Sequence, residues 1–231
     1  MKKYDTFLVD ADDTLLDFHA SSRAALEAAF HSFQKEWKEE YAEEFFSFND
    51  TLWEKLERKQ ITRERLLKER FPAYLERLGV DDVPGEEFNK KYLDYLATHP
   101  IYMEGAKEFL EALNGAGRVY IVTNGTYSIQ TSRFDIAGLW RYIEDAFISE
   151  KIGCDKPGKA YTDYVLSHIP RFDGKKTIWI GDSLTADVKA ANDAGIECIW
   201  YNPKNKSTNG KAFPDFEADS YTEILEILQI Y

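Results

Sequence analysis

Cysteine is scarce, with only Cys154 and Cys198 among 231 residues. Two thiols cannot build a disulfide framework, so a small disulfide-stapled fold is excluded, and a reducing, cytoplasmic setting is expected. No apolar run approaches the roughly 20 residues that span a bilayer. The N-terminal run in MKKYDTFLVDADD meets an acidic cluster too early for a signal peptide. No membrane partner is therefore expected. Positive charge is also short: 29 Lys and Arg stand against 41 Asp and Glu, a net charge of −12. A duplex nucleic-acid binder needs a basic face, which excludes a nucleic-acid polymer as the expected partner. The four histidines, His19, His31, His99 and His168, form no metal-ligand pattern. Repeats, low-complexity tracts and Pro/Gly/Ser linkers are lacking. Hydrophobic residues are not, and at 44% they suffice for a core. The length suits one large α/β domain, or a core with a small second domain.

Five short apolar segments read as strands: Tyr4–Val9, Val119–Val122, Ala146–Ile148, Thr177–Ile180 and Glu197–Tyr201. A helical stretch at Gly105–Asn114 precedes the last four, and stretches at Thr126–Ala137, Lys159–His168 and Thr185–Ala194 separate them. This alternation predicts a doubly wound α/β fold, a Rossmann-like parallel sheet with helices on both faces. Ligands of such sheets sit at the carboxyl ends of the strands.

The first and second strands are separated by far more than the ~30 residues of a βαβ unit. Helical periodicity fills the gap. Ser21 and Ser22 are N-cap candidates before Leu26, Phe30, Phe33 and Trp37, and Phe45, Phe48, Leu52 and Leu56 continue the pattern. Thr62 is a cap for a third helix through Phe71, Pro72 a break or a new start, and Gly79 a C-cap. Pro84 and Gly85 precede a helix with Phe88, Tyr92, Tyr95 and Leu96 on one side. A helical bundle inserted in the α/β core is expected, its aromatic stripes forming the bundle interior rather than, as the alternative, lining a ligand cleft.

The strand ends carry polar residues that need a reason. The first ends Asp10-Ala11-Asp12-Asp13-Thr14. As a calcium loop it fails, because the positions that need Gly and Glu hold Leu15 and Ser21. By itself it is equally a site or a charged turn. Thr123-Asn124-Gly125-Thr126 joins a hydroxyl to a helix start, which suits an anion but is also an ordinary N-cap. Lys156 precedes Pro157, which would hold the backbone extended and could aim the lysine, though a lone loop lysine is equally read as a solvated surface charge. Gly181-Asp182-Ser183-Leu184-Thr185-Ala186-Asp187 follows a buried strand, so Asp182 needs a cation or strong donors. Asp187 falls in the first turn of the next helix, and Ser183 is an N-cap or a partner of metal-bound water.

Taken together, DxDxT, Thr-Asn-Gly, Lys-Pro and GDSxxxD at successive strand ends resemble the haloacid dehalogenase-like (HAD) superfamily of phosphohydrolases, over the whole chain. The resemblance implies a core domain of residues 1–16 and 100–231 and a type 1 helical cap of residues 17–99, whose closure excludes water and whose residues set specificity. It implies Asp10 as the nucleophile that forms an aspartyl-phosphate and Asp12 as the general acid and base. Thr123, with Asn124 and Gly125, would bind the phosphoryl group. Lys156 would neutralise charge on the nucleophile and the phosphoryl group. Mg²⁺ would be held by Asp10, the Asp12 main-chain carbonyl and Asp182, with Asp187 orienting Lys156 or metal-bound water. Asp13 stands where most type 1 members have glycine, and Glu104 where many have proline. DADDT, TNG and Ile152-Gly153-x-x-Lys156-Pro157 are similar to the pyrimidine 5′-nucleotidase branch. The dehalogenase branch, which lacks the acid/base Asp and needs no metal, is not expected.

The implied function is Mg²⁺-dependent hydrolysis of a small phosphorylated metabolite, a nucleoside 5′-monophosphate first, by a monomer or homodimer. The alternatives are a sugar-phosphate phosphatase and a phosphotransferase resembling β-phosphoglucomutase. Gly181-Asp182-Ser183-Leu184 also spells the signature of GDSL serine esterases. That chemistry needs a histidine base near the C-terminus, and none follows His168.

Overall fold

The computed structural model describes residues 3–208, 210 and 212–230. The chain divides into two compact units, Met1–Asp17 with Ile101–Tyr231, and Phe18–Pro100. In chain order the elements are β1 (Thr6–Val9), α1 (Phe18–Ser32), α2 (Glu39–Glu57), α3 (Arg63–Arg77), α4 (Gly85–Thr98), α5 (Ala106–Ala116), β2 (Arg118–Thr123), α6 (Tyr127–Ala137), β3 (Asp145–Ile148), α7 (Ser149–Ile152), α8 (Lys159–His168), β4 (Thr177–Gly181), α9 (Lys189–Ala194), β5 (Glu197–Tyr201), β6 (Phe216–Ala218) and α10 (Tyr221–Leu228).

The first unit is an α/β Rossmann-like fold. Its sheet is wholly parallel, in the order β3-β2-β1-β4-β5-β6. Alternating side chains explain its two layers. Phe7 and Val9 of β1 face one way, with Ile121, Ile178 and Ile180, and pack on Phe109, Leu113, Phe134 and Ile224 from α5, α6 and α10. Leu8 faces the other way, with Val122, Trp179 and Trp200, onto Tyr161, Val165 and Ala191 from α8 and α9. β1 lies in the middle, and Val9 is level with Ile121 of β2 and Ile180 of β4. Continuing that register by one residue sets Asp10 beside Val122 and Gly181. Thr123 and Asp182 then come one residue beyond on either side. The carboxyl-end crevice of a doubly wound sheet is thus lined by the residues that close β1, β2 and β4.

β6 has no counterpart among the predicted strands. Its three residues, Phe-Glu-Ala, are too few to show a period, and they pair because β5 leaves an open edge. The helix predicted over Thr185–Ala194 is two pieces, a π-helical turn at Leu184–Val188 and then α9. Such wide turns gather at functional sites, and here the turn carries Asp187 inward.

The second unit consists of α1–α4. Phe45, Phe71, Tyr74, Phe88 and Tyr92 make up its aromatic interior, with ring centroids of neighbouring pairs about 5 Å apart. Three local expectations are corrected. Ser21 and Ser22 do not cap α1, which begins at Phe18. They are buried within it, and the Ser22 hydroxyl lies 2.8 Å from that of Tyr92. Trp37 is not part of α1, because the chain turns at Gln34, which has a φ of +57°. Pro72 neither breaks nor starts a helix. α3 runs through it to Arg77, since Phe71, Tyr74 and Leu75 bury on both sides of it. Thr62 does cap α3, accepting from the Arg65 N–H.

Candidate active site

Asp10 follows β1 directly, and its N–H continues the ladder to the Ile180 carbonyl at 2.9 Å. The buried ammonium of Lys156 donates to Asp10 Oδ1 at 2.6 Å, to the Val122 carbonyl at 2.8 Å and to Asp187 Oδ1 at 2.7 Å. Its three protons are all used, so Lys156 is held as a fixed cation between two carboxylates. Burial alone would lower its pKa, but Asp10 and Asp187 hold it above the ordinary lysine value. Burial pushes the Asp10 carboxyl up, Lys156 pulls against it, and Asp187 and Asp182 add to the rise. The other Asp10 oxygen, Oδ2, has the Thr14 hydroxyl at 3.4 Å.

Lys156 is aimed by its main chain. The Asn124 amide donates to the Lys156 carbonyl at 2.9 Å and accepts its N–H at 2.8 Å, and the Lys156–Pro157 peptide is cis. The two polar atoms of Asn124 are therefore engaged on the protein. The start of α6 is engaged too, because the Tyr127 N–H donates to the Glu150 carboxylate at 2.8 Å. The anion at that helix end belongs to the chain itself. Thr123 is buried at the end of β2, and its hydroxyl accepts from Gln130 Nε2 at 3.1 Å.

Asp187 reaches the site through the π-helical turn. Besides Lys156 it receives the Trp179 indole N–H on Oδ1 at 3.1 Å and the Ser183 N–H on Oδ2 at 3.3 Å. The Ser183 hydroxyl caps the turn, accepting from the Ala186 N–H at 3.1 Å. The Asp182 carbonyl accepts the Trp200 indole N–H at 2.8 Å, and Lys206 lies 3.7 Å from Asp182 Oδ2. Desolvation first, then the charge of Asp13, pushes the Asp182 carboxyl up to about 7, with Lys206 opposing.

Asp10, Asp182 and Asp187 each offer an oxygen within 4.8 Å of the others. All are hard oxygen donors, the set a cation such as Mg²⁺ takes. A cation bound there would add to the pull of Lys156 and Lys206 and favour the ionised carboxylates. Asp187, already bonded to Lys156, Trp179 and Ser183, is the least available ligand of the three.

Asp12 stands apart from Lys156. Arg133 Nη1 donates to its Oδ1 at 2.6 Å, and Gln130 Nε2 to its Oδ2 at 2.9 Å. The structure thus brings together Asp10, Lys156, Asp182 and Asp187, flanked by Asp12, Thr123 and Ser183. Gln130, Arg133, Trp179 and Trp200 went unnoticed in the sequence. One signal was available: Gln130 and Arg133 lie three apart on a helix with no clean apolar stripe, so a polar side must face inward.

Comparison with known proteins agrees with this geometry. Residues 4–195 match the model of the haloacid dehalogenase-like hydrolase family. The HAD-hydrolase YfnB of Bacillus subtilis is 35% identical over 230 residues, 100% of this chain and 97% of that protein. Its crystal structure, described as bound to magnesium, superposes with a TM-score of 0.93 over 99% of this chain and 100% of that one. The pyrimidine 5′-nucleotidase PynA of Streptococcus pneumoniae is 34% identical over 97% of this chain and 95% of its own length. The pyrimidine 5′-nucleotidase YjjG of Escherichia coli is 28% identical over 98% of each. With most of its length matched by one family model and its strand-end carboxylates and lysine gathered at one crevice, the chain belongs to the haloacid dehalogenase-like hydrolases.

Proposed function

We propose that this hydrolase is a Mg²⁺-dependent phosphatase that cleaves a small phosphomonoester through an aspartyl-phosphate on Asp10, with pyrimidine nucleoside 5′-monophosphates as preferred substrates. One observation carries the reading: Lys156 is locked between Asp10 and Asp187, so the carboxylate at the end of β1 is held next to a permanent positive charge while its second oxygen keeps only a long contact to Thr14. A nucleophile for a dianionic phosphate needs such charge compensation.

Asp10 Oδ2 attacks phosphorus in line with the leaving oxygen, forming one P–O bond as the other breaks. Asp12 gives its proton to the leaving oxygen. Water then attacks the same phosphorus, its proton passes to Asp12, and the bond to Asp10 breaks, which restores both carboxyl groups and releases phosphate. Thr123 offers its hydroxyl to a phosphoryl oxygen, and Asn124 serves by holding Lys156. Asp10, Asp182 and the Asp12 carbonyl would hold Mg²⁺, which, when bound, adds positive charge against the phosphoryl oxygens. Ser183 and Asp187 support this set from behind.

The nucleotidase preference rests on the full-length similarity to PynA and YjjG. Purified protein is assayed with Mg²⁺ on UMP, dUMP, dTMP, purine monophosphates, hexose phosphates and 2-chloropropionate. Preferred hydrolysis of the pyrimidine nucleotides is expected, and Asp10→Asn should lower it by roughly a thousandfold or more. Chloride release from 2-chloropropionate without phosphate release from any ester would overturn the reading. A best rate on hexose phosphates would replace its substrate.

A further inference from the structure

We propose that Gln130 and Arg133 of α6 are positioning residues for the second half-reaction, holding Asp12 as a proton acceptor for the water that frees the phosphoryl group from Asp10. The inference rests on the reading of Asp12 as the proton-transfer group.

The geometry is specific. Arg133 Nη1 donates to Asp12 Oδ1 at 2.6 Å and to Gln130 Oε1 at 2.8 Å. Gln130 Nε2 in turn donates to Asp12 Oδ2 at 2.9 Å and to Thr123 Oγ1 at 3.1 Å. Each oxygen of Asp12 thus receives an N–H, and neither donor atom can accept a proton back, so the clamp fits a carboxylate. The Asp12 side chain keeps 31% of its surface exposed, whereas Arg133 keeps 1%. The clamp therefore acts from inside while the carboxylate stays open.

Two further observations separate this from ordinary packing. Arg133 Nε and Nη2 are buried without a hydrogen-bond partner. Two buried N–H groups left without acceptors carry a desolvation cost that ordinary packing does not repay. Its ion pair is to Asp12, so its presence is explained by what it does to Asp12. Gly125 adds the second: a Cβ there would lie 2.4 Å from Gln130 Cγ. Glycine at this position leaves room for the Gln130 side chain to run along the loop to both Thr123 and Asp12. The same amide therefore ties the residue that would bind the phosphoryl group to the one that would activate water.

The two half-reactions make different demands. p-Nitrophenolate leaves without needing a proton, so phosphoryl transfer from p-nitrophenyl phosphate to Asp10 bypasses Asp12 as an acid. Release of the phosphoryl group still needs a base. Rapid-quench kinetics on the full chain with Mg²⁺ and this ester separate the steps. Arg133→Met should keep the first-turnover release of p-nitrophenol within about threefold of the parent, while the steady-state rate falls about tenfold or more, within the range of general-base effects. Acid-quenched protein should then carry a phosphoryl group by intact mass. Gln130→Leu should move the same way by less, and Arg133→Lys should recover part of the rate. A thermal unfolding scan confirms that each variant is folded, and Gln130→Leu carries the test if Arg133→Met does not fold. A steady-state rate within about twofold of the parent, or first turnover and steady state falling together with no phosphorylated protein, would overturn the assignment. Asp12→Asn separates the two ideas. If it is inactive while the α6 variants match the parent, only this inference fails. If Asp12→Asn keeps full activity, the role of Asp12 itself falls.

Discussion

At the residue scale, Asp13 shows how a departure from a family pattern is accommodated. Its φ is +56°, the left-handed region where glycine is at ease and aspartate is tolerated better than most residues. The loop that requires this is tight: Leu15 and Leu16 both donate to the Ala11 carbonyl, and Asp13 donates to Leu16. Asp13→Gly should therefore leave stability nearly unchanged. Asp13→Val should cost about 1–2 kcal/mol, because a β-branched side chain clashes in that conformation. Chemical denaturation checks both, and equal stability of the two variants would refute the argument. The motif could be read from residue types alone, but the backbone angle that explains its fourth position could not.

At the element scale, the wide turn between β4 and α9 decides where Asp187 ends up. Gly181 closes β4 beneath it, and a Cβ there would lie 2.3 Å from Asp187 Cγ. Asp187 cannot give way, since Lys156, Trp179 and Ser183 hold it. Gly181→Ala should cost about 1–3 kcal/mol from overpacking. Activity should fall about a hundredfold, because an error near 1 Å in charge placement costs that much. Gly115→Ala is the control. Nothing lies within 4 Å of its Cβ and it sits in α5, so a gain of about 0.5–1 kcal/mol is expected. Unfolding midpoints and phosphate-release rates of the two variants test the contrast, and an active, stable Gly181→Ala would refute it. Helical spacing over 185–194 was evident in the sequence. The extra residue in the turn was not, because it answers to the bonds Asp187 makes with Lys156 and Trp179.

At the scale of the whole molecule, negative charge dominates, with a net −12, and the carboxylate cluster concentrates it at one crevice. Asp182, with its carboxyl pushed up to about 7, has a sign that can be worked out. Its proton is held more tightly in the folded state than at the ordinary carboxylate pKa of about 4. In chelator-treated protein its contribution to stability is full below about pH 4 and is lost as pH rises through about 7. Mg²⁺ held at the proposed site would reverse the loss by binding the ionised form. At a hundredfold excess over its Kd it should raise the melting midpoint by roughly 5–10 °C, more at pH 8 than at pH 6. Asp182→Asn should remove most of this shift. Equal midpoints with Mg²⁺ and with chelator at pH 8 would refute the cation site.

Residue order by itself determined the parallel α/β core, the helical insertion and the strand-end positions of Asp10, Thr123 and Asp182, because apolar period and strand–helix alternation are local properties; Lys156 instead lies in the loop after α7, eight residues past the end of β3. Tertiary structure alone decided which donors those groups keep. Asn124 is spent on the Lys156 main chain, Glu150 occupies the start of α6, and Arg133 with Gln130 clamps Asp12. A hydrogen bond or an ion pair depends on distance and direction between chain segments far apart in sequence, and those are set only once the sheet has fixed its register.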